Sequence, residues 1–270
     1  MSRLAETFAA ARADGRAVLI GYLPAWFPTP VDCVAVIAAM VESGVDVIEV
    51  GLPYSDPLMD GPAIQAAVTA ALAAGIRIPD VLETVRGVAG TGAPTLVMSY
   101  WNPINRWGSG RFAAALSAVG GSGVITPDLP PEEAGDWCHQ TDEASLDRIF
   151  LAAPSSTNER LARVAEVSSG FVYAASTMGV TGARTSVSDA ARVLVGRVRQ
   201  VTSLPVCVGL GVSTGEQAAQ VAEYADGVIV GSAFVNAVTN AASPAAGAAA
   251  VAALAAELAA GVRRGRHGPA

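Results

Sequence analysis

Two carboxylates stand close together in VDVIEVGLPYSDPLMDGP (45–62): Glu49 ends a β-branched run, and Asp60 lies in the polar loop that follows. Alternation predicts a strand with Val45, Val47 and Glu49 on one face and Ile48 and Val50 on the other. If the aliphatic pair faces covering helices, Glu49 points inward, where loss of water raises its pKa towards a range useful for proton transfer. A structural ion pair with an arginine is the competing reading. The loop is rich in proline and glycine and carries Asp56 and Asp60, too stiff and polar for a generic connector. Asp60 can reach back towards Glu49, and two carboxylates of unlike exposure can divide acid, base and hydrogen-bonding roles. The alternative is that Asp56 and Asp60 merely cap turns or the next helix.

Two further segments suit an anion. VGLGVS (208–213) and VGSA (230–233) are small-residue turns that expose backbone N–H groups, and SAFVNAVTN after the second reads as a short extra helix. Gly211, Gly231 and Ser232 are the expected phosphate contacts, although glycines also end strands for steric reasons. TMGVTGARTS (177–186), with Gly179 and Gly182, fits a mobile lid or an ordinary surface loop.

Absences narrow the chemistry. All 17 basic residues are arginine, so neither a lysine Schiff base nor an internal pyridoxal-phosphate aldimine can form. The two histidines, His139 in an expected helix and His267 in the tail, are not placed to line one strand-end pocket, against a His-rich metal site. A formal charge of −7 argues against nucleic acid as a partner. Arg263, Arg264 and Arg266 read as a solvated tail. Three cysteines without pair spacing suggest neither disulfides nor a zinc ribbon, and fit a cytoplasmic protein. The N-terminus lacks an uninterrupted apolar core of a signal peptide, and Asn236, Asn240 and Pro244 interrupt the uncharged stretch 233–256, so no membrane span is expected.

These residues need a frame that gathers them. Eight β-branched runs alternate with Ala-rich amphipathic stretches: 17–23, 45–50, 94–100, 123–129, 148–153, 171–176, 204–210 and 226–231. That pattern predicts parallel strands joined by helices, and eight pairs without a linker fit one closed (β/α)₈ TIM barrel over residues 1–270, with a flexible tail from 262. A doubly wound open sheet is the rival, but no G-x-G-x-x-G follows the first strand. In a barrel, chemistry belongs at the C-terminal strand ends.

In order and spacing, IEVGLPYSDPLMDGPAIQAA, SYWNPINRWG, TPDLPPEEA, FVYAASTMGVTGART and VGLGVS resemble the tryptophan synthase alpha family across roughly residues 4–256. The resemblance implies cofactor-free cleavage of indole-3-glycerol phosphate to indole and glyceraldehyde 3-phosphate, with Glu49 and Asp60 as the catalytic acids. It further implies an indole pocket of Tyr22, Met98, Tyr100, Leu151, Tyr173 and Leu210, phosphate contacts at Gly182, Gly211, Gly231 and Ser232, and Thr181 in the closing lid. Pro53, Asp56 and a turn at Asn102 and Pro103 would meet a pyridoxal-phosphate beta subunit in an α₂β₂ assembly. A stand-alone lyase, a non-catalytic allosteric version and another phosphate-binding barrel isomerase are the alternatives. One departure is local: the family commonly has glycine after strand one, where this chain reads PAWFP with Trp26 and Phe27.

Overall fold

Nine short runs of extended backbone, all parallel, form one sheet in the computed structural model, which describes residues 1–175, 189–209 and 211–265. In chain order they are β1 (Val18–Pro24), β2 (Val47–Gly51), β3 (Thr95–Met98), β4 (Gly123–Ile125), β5 (Asp147–Ile149), β6 (Leu151–Ala152), β7 (Val172–Ala175), β8 (Val206–Gly209) and β9 (Gly227–Val230). The spatial order is β5-β4-β3-β2-β1-β9-β8-β7-β6. Only Phe150 separates β5 from β6, and its carbonyl accepts the Tyr173 N–H at 3.1 Å. The two runs are therefore halves of one strand, and the ring closes as a (β/α)₈ barrel. Each run expected from the sequence overlaps a strand, although 94–100 and 123–129 are extended only over Thr95–Met98 and Gly123–Ile125.

Side-chain alternation sorts two apolar layers. Val18, Ile20, Val47, Leu96, Ile125, Ile149, Phe171, Cys207 and Ile229 fill the barrel. Leu4, Phe8 and Ala11 join them from the helix Arg3–Ala13, one face of which plugs the N-terminal end of the barrel, with Phe8 5.9 Å from Phe171. Ile48 and Val50 face the surrounding helices, as expected. Val45 does too, which corrects its expected inward placement: the strand begins at Val47, so strict alternation does not extend back to residue 45.

The Ala-rich helix Pro244–Arg264 is long and apolar enough to cross a membrane by length and composition. Its buried face instead packs on the helices Cys33–Glu42, Gly215–Ala222 and Ser232–Thr239. The approach is close, for a Cβ at Gly261 would lie 2.2 Å from the Gly215 carbonyl oxygen. This helix continues through Arg264 and buries Val262, so a tail starting at 262 begins too early. Residues 266–270, with Arg266 and His267, fall outside the described residues.

Candidate active site

At the mouth of the barrel β2 carries Glu49, whose register partners are Tyr22 on β1 and Leu96 on β3. Glu49 is 1% exposed, and its Oε1 is buried without a hydrogen-bond partner. Burial alone pushes its carboxyl up to about 8, so the group is mostly protonated at neutral pH. Among the described residues Glu49 belongs to no ion pair, which removes the structural reading. Asp46, at the opposite end of the barrel, shows what such a carboxylate looks like: Arg16 grips it at 2.8 and 2.9 Å, and it accepts the Leu19 N–H at 2.8 Å.

Asp60 is brought over the mouth by the loop after β2. Its Oδ1 accepts the Tyr100 hydroxyl at 3.2 Å, and the same phenol oxygen accepts the Met59 N–H at 3.1 Å. Burial raises the Asp60 pKa, and the Tyr100 hydrogen bond pulls it back down. The following helix, Pro62–Ala73, is N-capped by Gly61 with no side-chain capping bond, so Asp60 is not its cap. The Gln65 amide donates to the Asp60 carbonyl at 2.8 Å and fixes the loop. The Tyr100 anchor was missed in the sequence, where Tyr100 entered only as a wall of the indole pocket.

The walls between the acids are aromatic and aliphatic. Tyr22 is buried and Tyr173 is half-buried, each ring overhanging a strand-end glycine. A Cβ at Gly51 or at Gly209 would lie 2.3 Å from the hydroxyl of Tyr22 or of Tyr173. Burial, reinforced by the carboxyls, holds both phenols well above their ordinary pKa, so they stay protonated. Met98 pairs with Gly51, and Leu151 with Tyr173, which sets both at the mouth. Across the ring, Gly211 takes φ +70, a left-handed conformation that favours glycine. Gly231 precedes the helix Ser232–Thr239, the expected extra helix, whose first N–H groups have no partner within the helix and favour an anion. Thr181, Gly182 and Leu210 lie outside the described residues.

Comparison with known proteins decides the family. The profile described as tryptophan synthase alpha chain matches residues 8–263. The tryptophan synthase alpha chain of Thermobifida fusca is 60% identical over 241 residues, 88% of this chain and 89% of that protein. The Nocardia farcinica protein of the same name is 58% identical over 236 residues, 87% of this chain and 89% of its own. A Mycobacterium tuberculosis tryptophan synthase structure superposes with a TM-score of 0.92 at 56% identity, covering 97% of this chain and 98% of that one. The alpha subunit from Legionella pneumophila gives a TM-score of 0.87 at 33% identity, over 97% and 98%. The chain belongs to the tryptophan synthase alpha chain family. It is thus the lyase component of tryptophan synthase, which cleaves indole-3-glycerol phosphate and passes indole to the beta component.

Other features of this tryptophan synthase alpha barrel differ from the sequence reading. Asn102 and Pro103 sit in the first turn of a helix, Trp101–Trp107, rather than in a loop turn. Proline is tolerated there because the first N–H groups of a helix have no partner within it. The Asp128 carboxylate accepts the Trp101 N–H at 2.8 Å, a cap the sequence did not reveal. Pro53, Asn102 and Pro103 share a cleft of about 240 Å³ with Tyr54 and Arg106, and Asn102 donates to the Tyr54 hydroxyl at 2.8 Å. Asp56 is exposed and accepts the Ser55 hydroxyl at 2.6 Å. Trp26, in the loop after β1 that departs from the resemblance, takes φ +64. For an L side chain that conformation costs about 1–2 kcal/mol, offset by packing of Trp26 against the core.

Proposed function

We propose that Glu49 and Asp60 carry out the cleavage within a single-domain cytoplasmic subunit. The protonated Glu49 gives its proton to C3 of the indole ring, and Asp60 hydrogen-bonds the ring N–H to stabilise the cationic indolenine. The Glu49 carboxylate then takes the proton of the carbinol hydroxyl. As that hydroxyl becomes the aldehyde of glyceraldehyde 3-phosphate, the carbon–carbon bond breaks and its electron pair restores the aromatic ring. Glu49 ends protonated, ready for another turnover. The observation that carries this reading is the buried, unpartnered Glu49 carboxyl, raised to about 8, in a pocket that also holds Asp60 on its Tyr100 anchor.

The indole ring lies against Tyr22, Met98, Tyr100, Leu151, Tyr173 and Leu210. The phosphate rests on Gly211, Gly231 and Ser232, and the family resemblance assigns Gly182 and Thr181 to the same site. No cofactor is needed in this chain. Pyridoxal phosphate belongs to the beta partner, in keeping with the absence of lysine here. The cleft at Pro53, Asn102 and Pro103, with Asp56 nearby, faces that partner in an α₂β₂ assembly. Indole release from indole-3-glycerol phosphate, by the purified chain alone and with a tryptophan synthase beta subunit, tests the reading. Slow release alone and fast release with the partner are expected. Equally fast release without the partner would instead make this a stand-alone lyase.

A further inference from the structure

Three neighbouring strands lay out the substrate's path. The barrel order runs β9, β1, β2, so the phosphate turn at Gly231–Ser232 stands on one side of Tyr22 and Glu49 on the other. The Tyr22 ring spans that gap. A Cβ at Gly231 would lie 3.4 Å from Tyr22 Cδ1, while the Tyr22 hydroxyl hangs over Gly51, two residues beyond Glu49 towards the mouth. A substrate with its phosphate at β9 and its reacting carbon at Glu49 must carry its three-carbon chain across this phenol. Tyr22 is 6% exposed, yet its hydroxyl makes no hydrogen bond with any described residue. A phenylalanine would supply the same apolar wall; the hydroxyl is not among the buried polar atoms that lack a partner, so it keeps access to the mouth, where a ligand can meet it.

We infer that the Tyr22 hydroxyl hydrogen-bonds a hydroxyl of the substrate's glycerol chain, which makes Tyr22 a substrate-positioning residue rather than only a wall of the indole pocket. The inference rests on the reaction proposed above. Because the phenol stays protonated, it can donate to the chain oxygen or accept from it at any working pH. Its effect is to fix the rotation of the chain so that the carbinol hydroxyl faces Glu49.

The test compares the wild type with Tyr22→Phe, each assembled with a beta subunit, on two ligands. One is indole-3-glycerol phosphate. The other is indole-3-propanol phosphate, the same ester with both chain hydroxyls replaced by hydrogen. Loss of one neutral hydrogen bond should lower kcat/KM for indole-3-glycerol phosphate by about 3- to 10-fold, with the inhibition constant of the propanol ester unchanged. Equal weakening of both ligands would assign Tyr22 a packing role, and no change in either would leave its hydroxyl without a role; each result overturns the inference. If the wild type released no indole at all, the reaction itself would be wrong, and the inference would fall with it.

Discussion

Glu49→Gln is expected to lower kcat for indole release by about 10²–10⁴-fold and, at the same time, to make the protein more stable. The first effect follows because glutamine fills the same space yet can neither give a proton to the indole ring nor take one from the carbinol. The second follows from burial. The Glu49 carboxyl sits at about 8 in the folded chain against an ordinary 4.5, so the folded state holds this proton more tightly than the unfolded one. Its contribution is most favourable below 4.5, declines as pH rises from there through 8, and then levels off. The loss is on the order of a few kcal/mol at alkaline pH. An uncharged glutamine escapes it. Thermal unfolding of both proteins at about pH 5 and about pH 8.5 should show an advantage for the variant that widens with pH. An advantage of the same size at both, or a less stable variant, would mean that Glu49 is not a desolvated acid.

Asp60→Asn should cost about 10²–10³-fold in kcat with a smaller change in KM. Asparagine retains an oxygen that can accept the Tyr100 hydroxyl, so the loop keeps its anchor. It loses the negative charge that meets the indolenine cation, a charge that matters only once the ring has been protonated. Steady-state indole release with the beta subunit separates the two constants. A loss confined to KM would reduce Asp60 to a ground-state binding group.

The strands and the acid pair were legible in the sequence for a common reason. Parallel strands buried on both faces read as β-branched runs, and a carboxylate set into such a run at Glu49 breaks the pattern visibly. What escaped was set by pairings between distant segments. Nothing near Tyr100 says that its hydroxyl anchors Asp60, 40 residues earlier. Nor does Gly51 show locally that it clears space for Tyr22, since that depends on the register of β1 on β2. The plug helix Arg3–Ala13 did leave a signal, for Leu4, Phe8 and Ala11 recur at helical spacing. That spacing alone does not name the partner, because Phe171 lies far along the chain. The split of the fifth strand at Phe150 and the start of β2 at Val47 are backbone details that a hydrophobic run does not encode.

The central claim is that a buried, protonated Glu49 begins the cleavage. The pH dependence of kcat/KM for indole release reports the ionisation of groups in the free enzyme and so tests it most directly. The account predicts that kcat/KM falls on the alkaline side with an apparent pKa of about 8, the value to which burial raises Glu49. A profile that stays flat through that pH would contradict it.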